Sequence, residues 1–492
     1  MNLTFPRYAV HVGTTRPNRK VERMIGWKRV FAIGAAACII AGASISSNAA
    51  ASSADTEEAG KASAIAQWKQ WVKEHVKPIA GGVVNFDKDR NAAERFKDLQ
   101  FLKPLLQHKR LISLGEASHG AAEYNSVKVR LVQFLHEQLG YDVLAFESNL
   151  GEATAAFVQA RNHTPAEMMK NSIFGVWQVE ENLPLFEYIV EQSKTTRPLI
   201  LTGIDVQGTT EPFITFMEKW FAHADKSKAV SFVQTERWYL KVHTYNDMER
   251  FNREQPQLIA KYRLFQMFLR ENKAKLQAVY PEHPELVSVT ERVLQNRIDM
   301  LETYCGRMVK LFAGIEPERQ MKEASYIRDQ QMASNAAWLA EQLYPDKKII
   351  VWGHNYHVRK HNSTMVTEHN GFGFDNNPYP TMGEMLPFSL RKDNYVIGLY
   401  AYQGSSSKNS KETDRISQPH NEGSIEELLK AGGHAYQFLD LMQVKLDPRT
   451  SWLFTPRIAK AWGMLEETMI VREQYDGILF VDTIHPSQRM AQ

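Results

Sequence analysis

Beyond residue 66, apolar positions along the chain fall into two textures. Short, near-continuous runs of aliphatic and β-branched residues occupy 110–115, 142–146, 198–204, 348–353, 394–402 and 476–481. Between them, apolar residues recur every three or four positions. An unbroken apolar run predicts a strand covered on both faces, as in a parallel sheet, and three-to-four spacing predicts an amphipathic helix. Strand, helix and strand from Arg110 to Glu147 have the length of one βαβ unit. The helical texture alone fills 209–343, in stretches such as IAKYRLFQMFLRENKAKLQAVY, and strands resume after it. The pattern predicts one α/β domain over 67–487, a mainly parallel sheet flanked by helices, with a large helical insertion at 209–343. Segment 404–423 (GSSSKNSKETDRISQPHNEG) has no periodicity and is expected to be an exposed polar loop, a candidate mobile flap.

Residues 1–66 follow a different pattern. Arg19, Lys20, Arg23, Lys28 and Arg29 precede an apolar run at 30–45, and Ser46-Ser47-Asn48-Ala49-Ala50 follow it. A basic segment, a short apolar stretch and small residues at a cleavage point describe a secretory signal peptide over 1–50, with Met24 the more usual start. Gly34 and Gly42 interrupt the run, which is shorter than the roughly 20 residues of a spanning helix. The expectation is an exported protein, secreted or in the cell envelope, with no stable membrane insertion once the signal is removed. Residues 51–66 are small, acidic and polar, and are expected to form a disordered leader. The two cysteines are Cys38, inside the signal run, and Cys305, so the mature chain has no internal disulfide. A chain of 492 residues with 43% hydrophobic content has ample material for a core without one. A net charge of +3, with no lysine-arginine block in the mature part, gives no electrostatic case for a nucleic-acid partner.

The candidate chemistry lies where the predicted strands end. Four of the runs lead into a titratable residue: Glu116, Glu147, Asp205 and His354. In open α/β sheets ligands bind beyond the carboxyl ends of the strands, and four ionisable groups beside apolar strands are costly unless they are paired. In the run GEASHG, Ser118 is a candidate N-cap, which would put His119 in a first helical turn where the dipole disfavours its imidazolium. A neutral imidazole can take a proton from water, and Glu116 or Glu147 can orient its other nitrogen. Glu123 lies four residues on, on the same helix face, and GHNYHVRK adds His354 and His357. These six residues are also acceptable metal ligands, which leaves a metal-dependent hydrolase as an alternative, although E-x-x-H-x-x-x-E is not the zincin pattern. Ser118 as nucleophile fits poorly, because the run is not G-x-S-x-G and its would-be base is adjacent in sequence. A non-catalytic binding protein for an extracellular polar ligand is the third reading.

The stretch LISLGEASHGAAEYNSVKVRLVQFLHEQLGYDVLAFESNLGEA resembles the opening motif of the erythromycin esterase family. Further matches are GIDVQ at 203–207, RDQQMASN at 328–335, VWGHNYHVRK at 351–360, TMGEML at 381–386, GSIEELL at 423–429 and YDGILFVDT at 475–483. The resemblance implies an α/β core with a helical insertion and a metal-independent esterase that needs no cofactor. It would open the ester of a small molecule, such as a macrolide lactone, with histidine-activated water. It further implies His119 as general base, Glu116 and Glu147 as the carboxylates that orient it or the water, and His354 and His357 as cleft histidines. One departure stands out: the characterised esterases carry arginine nine residues after the base, and this chain has Lys128, with Arg130 two further on. In the mechanism so expected, Lys128 or Arg328 offsets oxyanion charge, His354 or His357 protonates the leaving alkoxide, and Phe174, Trp177 and Trp352 wall the substrate. Asp205 and Glu123 complete the candidate set.

Overall fold

The computed structural model describes residues 45–81, 92–367, 379–408 and 412–490. The basic and apolar parts of the expected signal peptide (1–44), Cys38 included, lie outside the described residues. Gly60–Gln492 form one unit. All six expected strands are present as β1 (Leu111–Leu114), β2 (Tyr141–Asn149), β3 (Ile200–Asp205), β4 (Lys348–Trp352), β5 (Asn394–Ser407) and β6 (Gly477–Ile484). They pair in parallel in the order β6-β5-β1-β4-β2-β3. β6 continues antiparallel into Tyr436–Asp440 and then Lys77–Pro78, edge strands too short to carry a readable pattern. β1 is buried along its whole length and β2 and β3 nearly so, which is why their sequences read as unbroken apolar runs.

Between Glu211 and Leu343 the described chain is helical and contains no strand. The helix Pro317–Trp338 reaches back to the sheet, where Asn335 Nδ2 donates to the Ile204 carbonyl at 3.0 Å. Arg328 and Asp329 are thereby brought to the carboxyl edge of the strands. Cys305 is buried on a helix of this region, and burial pushes its thiol up to about 12.

Two expectations need correction. The helix Ile45–His75 runs through the stretch 51–66 expected as leader. Alanine favours the helix, and from Gly60 onward Ile65, Trp68, Trp71 and Val72 bury one helical face. The segment 404–423 is a loop only in part: β5 extends to Ser407, Ser405–Ser407 pair antiparallel with Thr413–Arg415, and 416–423 has no helix or strand and is mostly exposed. Polar residues in a paired arm satisfy their backbone without any apolar signal. A second, antiparallel sheet of Pro456–Ala461, Leu465–Ile470 and Val366–Thr367 is absent from the sequence-based expectations. It is fastened by a buried bidentate pair, with Arg359 Nη1 and Nη2 donating to Glu467 at 2.8 and 3.0 Å. Among the described residues, no helix is long and apolar enough to cross a membrane.

Candidate active site

β1 ends at Leu114, and the chain turns through GEASHG before the helix Ala122–Leu139 starts. The turn is pressed against the end of β5. A Cβ on Gly120 would lie 1.9 Å from the Ser407 carbonyl oxygen, so only glycine fits there. Ser118 is not the N-cap. The helix is capped from Ala121 with no side-chain bond, and Ser118 Oγ donates to Ser406 Oγ at 2.9 Å. His119 therefore sits in the turn ahead of the helix, outside its first turn.

The turn places His119 against Glu116. Glu116 is fully buried, and its Oε1 lies 2.7 Å from His119 Nδ1 and accepts from Trp177 Nε1 at 2.8 Å. Its Oε2 accepts from Lys128 Nζ at 2.7 Å. Burial alone would raise the Glu116 pKa; the Lys128 charge and the bond from His119 outweigh it and hold the carboxylate below its usual range. With Nδ1 given to Glu116, the free lone pair of a neutral His119 is on Nε2, which has no hydrogen-bond partner among the described residues.

Glu147, at the end of β2, joins the other half of the site. Its Oε2 accepts the His354 backbone N–H at 2.8 Å, and its Oε1 lies 3.0 Å from Arg328 Nη2 and 3.2 Å from His357 Nε2. Burial opposes its charge, but His357 and Arg328 bring its pKa well below the usual value. His357 Nδ1 also meets Asp329 Oδ1 at 2.7 Å. Burial disfavours the His357 imidazolium, yet Asp329 and Glu147 outweigh it and raise the ring to about 10. A protonated His357 donates from both nitrogens to these two carboxylates. The 3.2 Å approach of Arg328 Nη1 to its Nε2 is then a contact of two donors rather than a bond.

His354 differs from its neighbour. Its Nδ1 accepts the Tyr356 backbone N–H at 3.1 Å, so the proton of the neutral ring is on Nε2, which is buried and unpartnered. Burial, and then the nearby His119, hold its pKa well below the ordinary histidine value. The His354 and His119 rings are 5.0 Å apart, and Trp462 lies against both. The site thus holds one imidazole with an unpartnered lone pair beside one with a buried, unpartnered N–H.

The remaining candidates take other positions. Lys128 is fully buried, its Nζ bonded to Glu116 and 4.1 Å over the Trp352 ring, so it holds Glu116 instead of facing a substrate oxygen. Arg328 is held by Glu147 and by Asp205, whose Oδ1 also accepts the Val206 and Gln207 backbone N–H groups. Asp205 is therefore a support for Arg328 and contacts no open space. Glu123 turns away and accepts from the His485 backbone N–H, with His485 Nδ1 also at 2.7 Å. Its place four residues after His119 does not matter, because the helix begins between them. Trp352 and Trp177 are buried, with Trp352 stacked on Phe146 and Trp177 edge-on to His119. Asp329 and Trp462 were missed. Asp329 carried one signal, an acid next to Arg328 in RDQQMASN, whereas Trp462 carried none. Among the described residues, no group of three or more His, Cys, Asp or Glu is placed to hold a metal ion.

Paired carboxylates and imidazoles thus lie at the carboxyl edge of a mostly parallel sheet, the edge at which α/β proteins bind their ligands. The Erythromycin esterase family profile matches residues 136–484. YbfO of Bacillus subtilis (strain 168), which carries the name of a hydrolase, is 39% identical over 426 residues, covering 85% of this chain and 92% of its own length. Erythromycin esterase type II of Escherichia coli is 23% identical over 409 residues, 77% of this chain and 90% of its own. The open conformation of an erythromycin esterase mutant superposes with a TM-score of 0.54 at 17% identity, covering 79% of this chain and 94% of that one. The chain belongs to the erythromycin esterase family, and that membership supports a hydrolase.

Proposed function

We propose that this protein is an exported hydrolase that cleaves a carboxylic ester by direct attack of water, with His119 as general base. The observation that carries the reading is the 2.7 Å contact of His119 Nδ1 with buried Glu116, which leaves Nε2 open beside the N–H of His354. His119 Nε2 takes a proton from water, and the water oxygen bonds to the ester carbonyl carbon. The charge that develops on the carbonyl oxygen is met by the His354 Nε2–H, a neutral donor with no other partner. The carbon–alkoxy bond then breaks, and the His119 imidazolium returns its proton to the alkoxide. Glu116 fixes the tautomer and stabilises the imidazolium, in the manner of a triad carboxylate, and Lys128 keeps Glu116 ionised. His357 has both nitrogens committed to carboxylates and spares no proton for the leaving group.

A small-molecule substrate follows from the family, and a macrolide lactone is the member-derived candidate. Lys128 stands where the characterised esterases carry arginine, and here it is buried behind Glu116, so simple esters and lactones belong in the same test. Export rests on the basic-then-apolar pattern of residues 19–45. The test is mass spectrometry of the purified protein incubated with a macrolide panel and aryl esters. The expected result is a gain of one water on a lactone, or acid plus alcohol from an open ester. Ligand binding with no product from any of them would point to a binding protein and sink the proposal.

A further inference from the structure

The Trp462 side chain is half-buried over the His119 and His354 rings. Its ring stacks on His354 at 4.7 Å with 19° between planes and meets His119 edge-on at 5.0 Å and 82°. Trp177 flanks His119 from elsewhere in the chain, also edge-on, at 4.6 Å. Trp462 reaches this position from the turn joining Pro456–Ala461 to Leu465–Ile470 in the small antiparallel sheet. There it adopts φ 53°, and Gly463 follows at φ 74°. A left-handed backbone is costly for any residue with a Cβ and persists only where the surroundings enforce it. Glycine would occupy that position without strain, whereas the tryptophan accepts the strain and gains the ring contacts with His119 and His354. The backbone is fixed as well: Trp462 N–H donates to the Ala117 carbonyl at 2.9 Å, tying the turn to GEASHG.

We propose that Trp462 is a positioning residue. Its ring sets the plane of His354 and excludes water from it, so that Nε2–H stays aimed beside His119, and the hairpin that carries it is the third wall of the site. The proposal rests on the reading of His119 and His354 as base and donor for its effect on rate, but not for its effect on the ring. The leading electrostatic influences on His354 come from His119, Glu147, His357 and Arg359. None of them lies on the hairpin, so removing the indole changes hydration and orientation without removing a charge. Desolvation is also the leading cause of the depressed His354 pKa.

The test compares the whole protein with Trp462→Gly and Trp462→Asn, both of which tolerate the left-handed backbone, and with Trp462→Phe, which keeps a ring. Histidine-selective 15N NMR reads His354 directly and needs no substrate. In the wild type the His354 ring is expected to stay a single neutral tautomer through the pH window in which an ordinary histidine gains its proton. In the Gly and Asn variants it is expected to titrate inside that window, and Phe is expected to restore the wild-type behaviour in part. Thermal melts should show the Gly variant folded, since the substitution relieves backbone strain. On an aryl ester, kcat/KM of the Gly variant should fall by roughly tenfold to a hundredfold, through kcat rather than KM. A His354 spectrum in folded Trp462→Gly or Trp462→Asn that superposes on the wild type across pH would overturn the proposal. If the wild type hydrolyses no ester yet the His354 resonances shift as described, the positioning role stands and the esterase reading alone fails.

Discussion

Two carboxylate oxygens of Glu116 face three groups: Lys128 Nζ, Trp177 Nε1 and His119 Nδ1. Both Glu116 and Lys128 are fully buried, so neither can exchange its partner for water. Removing one member of a buried pair leaves the other charge uncompensated, at a cost of about 3–5 kcal/mol. Lys128→Met should therefore lower stability by about that amount in urea unfolding. The double variant Glu116→Gln/Lys128→Met should recover much of the loss while remaining inactive, because the amide cannot stabilise a His119 imidazolium. A Lys128→Met protein as stable as the wild type would show that the pair is not desolvated as described. Lysine suits the position because its point charge sits over the Trp352 ring and reaches one oxygen.

The strands deliver these residues, and their spacing is set by small side chains. β2 and β3 pair in parallel with a register shift between Phe146 and Asn149, just where Glu147 turns into the site. Gly203 faces that irregularity: a Cβ there would lie 2.2 Å from the Ser148 carbonyl oxygen and 2.5 Å from that of Asn149. Gly203→Ala is expected to push β3 away from β2, at a cost of about 1–3 kcal/mol for overpacking, and to loosen Arg328 through Asp205. Denaturant melts and kcat/KM measured together check this; unchanged values for both would mean the strands have slack the structure does not show. The small antiparallel sheet depends on a side-chain pair instead. Arg359→Leu would leave buried Glu467 without its bidentate partner, costing about 3–5 kcal/mol, and should expose the hairpin to proteolysis before the rest of the chain.

At the scale of the molecule, the charged network of Glu147, Asp205, Arg328, Asp329 and His357 couples stability to pH. His357 is raised in the folded state to about 10, above the ordinary value near 6.5. Its contribution is fully present below about pH 6.5 and is lost as pH rises through about 10. Glu147 is lowered, so its contribution is present above the ordinary carboxylate value and is lost as pH falls through its depressed one. Melts across pH should show His357→Gln losing less stability than the wild type on the alkaline side. Equal alkaline slopes would show that His357 is not held charged. The parts of this arrangement legible in the sequence were those written as apolar runs. Six such runs marked β1 to β6, and four of them led into Glu116, Glu147, Asp205 and His354. Side-chain direction was not legible: Glu123 and Lys128 were placed by spacing, but one turns to His485 and the other inward to Glu116. Nor was the hairpin, because arms such as PRIAKA and LEETMI carry charges within short antiparallel strands, and the approach of Trp462 to His119 is long-range. The most direct measurement of the central claim is the kcat of His119→Ala on the best ester of the panel, with folding verified by circular dichroism. A fall of about 10²- to 10⁴-fold in a folded protein is expected; turnover near the wild-type rate would contradict His119 as the base.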